Sequence, residues 1–137
     1  MALSNGAGGY QVGDGNLNEP VIGYAPAPAT ATVTATLTAA QVTSGILLGS
    51  PGTSAASYTL PSVATLEASQ LSSAKVGSTF DLSVINVDGS SSGVITLVAG
   101  TGWTIVGLAT VAATAGTAQL FRARKTGDGT WTLYRIG

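Results

Sequence analysis

Two short motifs in the chain contain the residue types of a serine acyl-transfer site. Ser72-Ser73-Ala74-Lys75 is a Ser-x-x-Lys motif, and Lys125-Thr126-Gly127 is a Lys-Thr-Gly motif; penicillin-binding enzymes use both. In those enzymes the serine opens a helix, so that the lysine one turn later lies beside it. Here Ser72 is predicted to follow a helix, and Lys125-Thr126-Gly127 to end a strand of a hairpin. We therefore predict no catalytic residues, and the chain is not expected to be an enzyme.

Metal and thiol chemistry are also disfavoured by the residue types. The 137 residues include no His and no Cys, which excludes ordinary zinc sites, disulfides and a Ser-His-Asp triad. Asp14-Gly15-Asn16-Leu17-Asn18 is similar to the start of a calcium loop, but an EF-hand requires Gly at the sixth position and Glu at the twelfth. This chain has Glu19 and Ala25 there. A turn held by Asp and Asn side chains is favoured instead, and no metal or cofactor is predicted.

The charge content restricts the partners of the chain. Charged residues make up 8% of it and the net charge is −1, whereas an average soluble protein is about 25% charged. Without clustered Lys and Arg, no nucleic-acid partner is expected. No stretch is long and apolar enough for a spanning helix, and the first residues lack a signal-peptide pattern, so no membrane association is expected. Residues 20–66 carry no charge, and we predict that other subunits cover this stretch, since burying uncharged surface costs little.

Three groups of side chains are candidates for binding. The aromatic residues Trp103, Trp131 and Tyr134 would suit a sugar-stacking platform, but Trp131 shares a strand face with Leu133, which favours core packing. Alternate threonines in residues 30–38 form one row on one strand face. An ice-binding surface needs several such rows, so a solvated or intersubunit face is the favoured interpretation.

An arginine cluster is the third group. Arg122 and Arg124 share one strand face, and Arg135 is placed opposite them across a predicted hairpin. With no acidic residue expected nearby, the cluster predicts either a carboxylate on a partner chain or a solvated face.

The first 29 residues are predicted to form an extended N-terminal arm. They are rich in Gly and Pro, and residues 25–29 form a stiff Ala-Pro spacer. Their apolar residues are more numerous than in a typical disordered linker, which predicts that the arm contacts a partner. The candidate contact residues are Leu3, Tyr10, Val12, Leu17, Val21, Ile22 and Tyr24.

Residues 30–137 are predicted to form one all-β domain, an antiparallel β-sandwich or jelly-roll-like fold. Strands are predicted over residues 30–38, 46–48, 57–60, 79–87, 94–99, 104–106, 108–113, 118–125 and 131–136. One short helix is predicted over residues 62–71 and one helical turn over residues 38–42. The last two strands are expected to form a hairpin through Gly127-Asp128-Gly129. The chain has no strict internal repeat, which argues against a solenoid.

Several segments of this domain share a Gly- and Thr-rich β pattern: LTAAQVTSG (37–45), YTLP (58–61) followed by VATL (63–66), VGSTFDLSVIN (76–86), VITLVAGTGW (94–103), FRARKTG (121–127) and WTLYRI (131–136). Through these segments, residues 37–137 resemble small structural proteins of tailed-bacteriophage virions. The resemblance implies a structural role in the virion, commonly as a trimer, with no catalytic residues.

Within that class, one domain with a long arm favours a capsid decoration (cement) protein. Such a protein would be made in the host cytoplasm and would bind the major capsid protein on the exterior of the head as a homotrimer. A tail-fibre or receptor- or carbohydrate-binding β module is the alternative, although a fibre normally has an elongated shaft. The domain boundaries expected are residues 1–29 for the arm and 30–137 for the β-sandwich.

Overall fold

A computed structural model describes residues 23–137 of the chain, and these residues are mainly β. The elements follow one another as β1 (Ala29–Ala31), β2 (Ala35–Thr36), α1 (Ala39–Val42), β3 (Ile46–Gly49), β4 (Ala56–Thr59), α2 (Val63–Ser69), β5 (Thr79–Asn86), β6 (Ile95–Val98), β7 (Trp103–Val106), β8 (Thr110–Val111), β9 (Thr117–Gly127) and β10 (Thr130–Arg135).

The strands form two mixed sheets. Sheet A has the order β1-β3-β5-β9-β10-β7, and sheet B has the order β2-β4-β6-β8. From β1 to β9, successive strands alternate between the two sheets. Strands β1, β3 and β5 stack in parallel in sheet A, as β2, β4 and β6 do in sheet B. The first six strands are therefore three stacked turns of chain, each giving one strand to each sheet.

The mainly β composition confirms the coarser part of the sequence prediction, and the two sheets are mixed rather than purely antiparallel. Five of the eight strand pairings are parallel, and three are antiparallel. The stacked turns also lack a constant length: Ala29 pairs with Leu47, 18 positions later, and Ile46 pairs with Ser83, 37 positions later. Because the turns differ in length, they produce no repeat in the sequence. The absence of a repeat therefore did not exclude stacked parallel turns.

The stretch over residues 30–38 forms two strands rather than the single predicted one. The chain bends between β1 and β2 and passes from sheet A to sheet B, with Val33 73% exposed at the corner. At this bend the hydroxyl of Thr34 accepts a hydrogen bond from the backbone N–H of Ser57 (3.0 Å). The threonine side chain thus replaces a strand carbonyl where pairing is interrupted.

Both helices begin where the sequence predicts. At α1, the Thr38 hydroxyl accepts from the N–H of Gln41, and the Gln41 side chain accepts from the N–H of Thr38 (2.8 Å), which is a complete capping box. The amide of Gln41 also donates to the carbonyl of Thr30 (2.7 Å), so α1 is fixed against the edge strand β1. Ser62 caps α2 by accepting from the N–H of Thr65, although α2 ends at Ser69 rather than at residue 71.

The apolar core lies between the two sheets and is closed at one side by α2. Its largest fully buried side chains include Trp131, Tyr58, Phe121 and Leu66. Trp131 packs against Phe80 and Trp103, with ring centroids 5.5 and 6.1 Å away. The predicted hairpin is confirmed, since β9 ends at Gly127 and β10 begins at Thr130.

Candidate functional site

The outer face of sheet A, which points away from the core, carries an apolar surface that crosses the strands. Ile46 of β3 aligns with Ser83 of β5 and then with Leu120 of β9. In the neighbouring row, Leu48 aligns with Ile85. Exposed fractions are 40% for Ile46, 38% for Leu120 and 47% for Ile136, and the N–H of Ile136 donates to the carbonyl of Leu120 (2.9 Å). The apolar face is defined as Ile46, Leu48, Ile85, Leu120 and Ile136.

Such a surface differs from what a solvated sheet face requires. Strands with one face in water normally alternate apolar and polar residues. Strand β3 instead presents Ile46 and Leu48 on the outer face while Leu47 is fully buried in the core. Exposed apolar patches of several hundred Å² on a monomer often mark interaction sites. The apolar face is therefore the best candidate site for function in the described part of the chain.

An ion pair lies on the same face, in the row next to Ser83 and Leu120. Asp81 of β5 is the cross-strand neighbour of Arg122 of β9. Arg122 Nε lies 2.8 Å from Asp81 Oδ1, and Nη2 lies 3.1 Å from Oδ2, so the pair is bidentate. Hydrogen bonding to Arg122 lowers the pKa of Asp81, and the same bond raises the pKa of Arg122. Both side chains are about half exposed, which limits the contribution of the pair to stability.

The three arginines of the predicted cluster do not meet. Arg124 shares the outer face with Arg122, but Arg135 pairs with the buried Phe121 and so lies on the inner side of β10. Its Nη1 reaches the carbonyl of Leu108 at 3.5 Å. The sequence left open either a carboxylate on a partner chain or a solvated face, and for Arg122 the carboxylate is that of Asp81 in the same chain.

The aromatic residues do not form one platform either. Trp103 and Trp131 are 7% and 1% exposed and lie in the core, as the packing interpretation of Trp131 predicts. Trp103 Nε1 donates to the carbonyl of Pro61 (2.8 Å). Tyr134 lies on the outer face of sheet A, beside its cross-strand partner Arg122. These three rings cannot stack on the same sugar without moving strand β10 or β7.

The outer face of sheet B is lined by hydroxyl groups. Its cross-strand rows are Thr36, Thr59 and Val98, and Ser57, Thr96 and Thr110. Val98 is 39% exposed in this otherwise hydroxyl-rich surface. The threonines of residues 30–38 supply only Thr36 to these rows, because the bend at β1 and β2 divides them between two sheets.

Sequence reasoning missed a partly buried ion pair between α2 and sheet A. Lys125 Nζ lies 2.8 Å from Glu67 Oε2 and also contacts Oε1, and Trp131 Nε1 donates to Oε1 at 3.1 Å. The side chains are 8% and 24% exposed for Lys125 and Glu67. Hydrogen bonding to Lys125 is the main cause that lowers the pKa of Glu67. Because Lys125 lies at an inward position of β9, the alternation of residues 121, 123 and 125 could have indicated that it needs a buried partner.

This pair predicts an acid-sensitive contribution to stability. Lowering the pH from 7 to 3 is expected to reduce Tm more in the wild-type chain than in Glu67→Gln. Since the pKa of Glu67 is lowered in the folded state, its stabilisation is complete above the unfolded-state pKa of about 4.3 and is lost as pH falls through the lower folded value. Thermal melts monitored by circular dichroism across this pH range measure the difference.

A matched control for this experiment is Asp81→Asn. The pKa of Asp81 is also lowered, so its contribution to stability is lost in the same direction as the pH falls. Because the pair of Asp81 with Arg122 is more exposed, removal of this carboxylate is expected to change the pH dependence of Tm less. Identical pH dependence in the wild-type chain and in Glu67→Gln would contradict the pairing of Glu67 with Lys125.

Other predicted sites receive no structural support or lie outside the described residues. The Ser72 motif does follow α2, as predicted, and Lys125 of the second motif is bound to Glu67. Among residues 23–137, no group of three acidic, His or Cys residues is placed to hold a metal ion. The calcium-like residues 14–18 lie outside the described residues, as do the arm contacts Leu3, Tyr10, Val12, Leu17, Val21 and Ile22. Tyr24 is described and is fully exposed.

Comparison of the chain with protein-family models, curated proteins and solved structures found no match. Within residues 23–137, neither helix has the length and apolar content needed to span a bilayer.

Proposed function

We propose that this chain is a virion structural protein of a tailed bacteriophage. Its function would be capsid decoration: it binds the major capsid protein on the exterior of the head as a homotrimer and stabilises the shell. The observation that carries the proposal is the apolar face on the outer side of sheet A, where Ile46, Leu120 and Ile136 are 38–47% exposed. A surface of this kind supports a protein that works in contact with other proteins.

Three sequence features support the same proposal. Only 8% of the residues are charged, and low charge reduces the desolvation cost of protein contact. Residues 37–137 also resemble structural proteins of tailed-phage virions through the segments quoted above. The arm, with its apolar residues before Tyr24, supports a clamp that reaches a neighbouring subunit.

The stabilisation would come from mass action rather than from chemistry. A protein that binds only the assembled shell lowers the free energy of that state by RT ln(1 + [L]/Kd). At a free concentration 100 times Kd, this amounts to about 2.7 kcal/mol per site. Burial of apolar arm residues across capsid subunit boundaries would supply the binding energy.

A carbohydrate-binding module is not proposed as a second function. The two tryptophans that would form its stacking platform are buried in the core, and Tyr134 lies on the other face of sheet A.

Purified chain is expected to co-sediment with phage heads that lack their decoration protein and to raise the temperature at which these heads release DNA. Unassembled capsid subunits are the matched control, because a decoration protein binds the assembled shell more tightly than free subunits. A version lacking residues 1–23 is expected to bind more weakly, because it lacks the arm residues that are proposed to contact a neighbouring subunit; circular dichroism checks that it is folded. A chain that neither co-sediments with these heads nor raises the temperature at which they release DNA would contradict the proposed function.

A further inference from the structure

We propose that the apolar face of sheet A is the surface through which copies of this chain associate with each other. The proposal rests on the self-association in the proposed function, but neither on its trimeric state nor on binding to a capsid. Its occupant is the same face, or its immediate rim, of a second copy.

The size of the face fits a protein contact. The two rows that hold the apolar face cross four strands and cover roughly 260 Å², at about 4.8 Å between strands and about 6.7 Å between rows. With the bordering row of Asp81, Arg122, Tyr134 and Val106, the surface extends over five strands and three rows and covers roughly 480 Å². A standard interface buries roughly 800 Å² per partner. The apolar face with its bordering residues Val106 and Tyr134 therefore supplies more than half of what a stable contact between copies needs.

The shape of the face favours a second flat surface. It is formed by the outer side of a sheet, and sheets pack face to face about 10 Å apart with their side chains interdigitating. The exposed apolar side chains Ile46, Leu120 and Ile136 have the branched shapes that fill such a contact. A second copy presents an identical sheet face with identical side chains.

The charges on the face favour a second copy over other occupants. Asp81 and Arg122 form a cross-strand pair, so one anion and one cation stand side by side next to the apolar rows. A surface with both signs is electrostatically complementary to a copy of itself, because Arg122 of one copy can face Asp81 of another. A lipid surface would instead meet an ion pair with no net charge, which provides no net attraction to anionic lipids.

The experiment compares two substitutions that are matched in exposure. Leu120→Lys places a charge on the apolar face, where Leu120 is 38% exposed, and Val98→Lys places one on the outer face of sheet B, where Val98 is 39% exposed. The masses of the full-length wild-type chain and of both variants are measured by light scattering after size-exclusion chromatography over a range of concentrations. Circular dichroism and Tm confirm that each variant is folded.

The wild-type chain and Val98→Lys are expected to be oligomers at concentrations at which Leu120→Lys is a monomer. The apparent dissociation constant of the Leu120→Lys oligomer is expected to be at least 100-fold higher than that of the wild-type oligomer. If Leu120→Lys does not fold, Ile46→Lys on β3 replaces it, because Ile46 is 40% exposed on the same face. A wild-type chain that stays monomeric at all concentrations overturns the proposal. An oligomer that survives in folded Leu120→Lys or Ile46→Lys also overturns it.

The outcomes separate this inference from the proposed function. A wild-type dimer that dissociates in Leu120→Lys supports the self-association face and contradicts the homotrimer. An oligomer that dissociates in Leu120→Lys but binds no phage head supports self-association through the apolar face and contradicts capsid decoration.

Discussion

Asn86→Ala is expected to lower the free energy of unfolding by about 3–5 kcal/mol, one of the two largest effects of a single substitution in this chain. Asn86 is fully buried at the end of β5. Its Nδ2 donates to the carbonyls of Gly93 (2.8 Å) and Ala112 (2.9 Å), and its Oδ1 accepts from the N–H of Gly89 (2.7 Å). Alanine leaves the buried carbonyl of Gly93 and the buried N–H of Gly89 without a partner, and each such group costs roughly 1–3 kcal/mol. The carbonyl of Ala112 keeps a hydrogen bond from the N–H of Thr114 (2.8 Å).

The side chain of Asn86 also determines the shape of the turn that follows β5. A Cβ atom at Gly89 would overlap the Asn86 amide, and one at Gly93 would overlap the carbonyl of Gly52. The turn therefore closes directly on the amide, with no room for a larger residue at either glycine. We expect Gly93→Ala to destabilise the fold as well, because the atom it would meet is backbone and cannot rotate away.

Urea unfolding at equilibrium measures the effect of Asn86→Ala. The matched control is Ser83→Ala on the outer face of the same strand, where a change below about 0.5 kcal/mol is expected, as for most surface substitutions. Asn86→Asp separates hydrogen bonding from volume. It keeps an acceptor for Gly89 but directs a second acceptor at the carbonyls of Gly93 and Ala112, so it is expected to destabilise at least as much as alanine. A cost near 1 kcal/mol for Asn86→Ala would show that the carbonyl of Gly93 and the N–H of Gly89 find other partners.

The importance of Asn86 was not evident from the sequence. It precedes Val87 and the polar run at residues 88–93, and this composition predicts only a turn. The partner at Ala112 lies 26 positions away in a different part of the chain. A buried polar hub depends on which loops the fold brings together, and local composition does not contain that information.

The face of a strand on which each side chain lies was more predictable from the sequence than the strand that pairs with it. The period-2 pattern of β9 correctly places Phe121 and Ala123 inward and Arg122 outward. The same rule, applied to β10, places Arg135 on the inner side with Trp131 and Leu133, so its separation from Arg122 was available from the sequence. Parallel pairing was not available, since alternation fixes the face of each residue but does not identify the strand beside it.

The charge-free stretch over residues 20–66 has an explanation within the chain itself. Its described part supplies β1 to β4 and the start of α2, and its side chains Leu47, Tyr58 and Leu60 are buried between the sheets. Only Ile46 and Leu48 of this stretch belong to the apolar face of sheet A. Absence of charge therefore reflects the chain's own core at many positions. Coverage of the stretch by other subunits stays a prediction, and it concerns its exposed apolar residues Tyr24, Val33 and Ile46.

Trp131→Ala is expected to lower the free energy of unfolding by about 3–5 kcal/mol, the range of large-to-small aromatic substitutions in cores. Trp131 is 1% exposed and is the largest fully buried side chain. Its removal empties the space between Phe80 and Trp103 and also removes the donor to Glu67 Oε1. Equilibrium unfolding in urea measures this change.

Two comparisons at and near this position test the reason for the effect. Trp131→Phe keeps most of the ring but loses the hydrogen bond to Glu67, so a cost of about 1–2 kcal/mol is expected. Tyr134→Ala removes an aromatic ring from the outer face of the same strand, where the ring is only partly buried, and a cost below about 1.5 kcal/mol is expected. The relative costs of these three substitutions in the free energy of unfolding also test the register of β10. Because a slip of one residue exchanges the two faces of a strand, a larger cost for Tyr134→Ala than for Trp131→Ala would place Tyr134 in the core and Trp131 on the surface. In that case the apolar face would lose its border at β10, and Trp131 would again be available as a stacking surface.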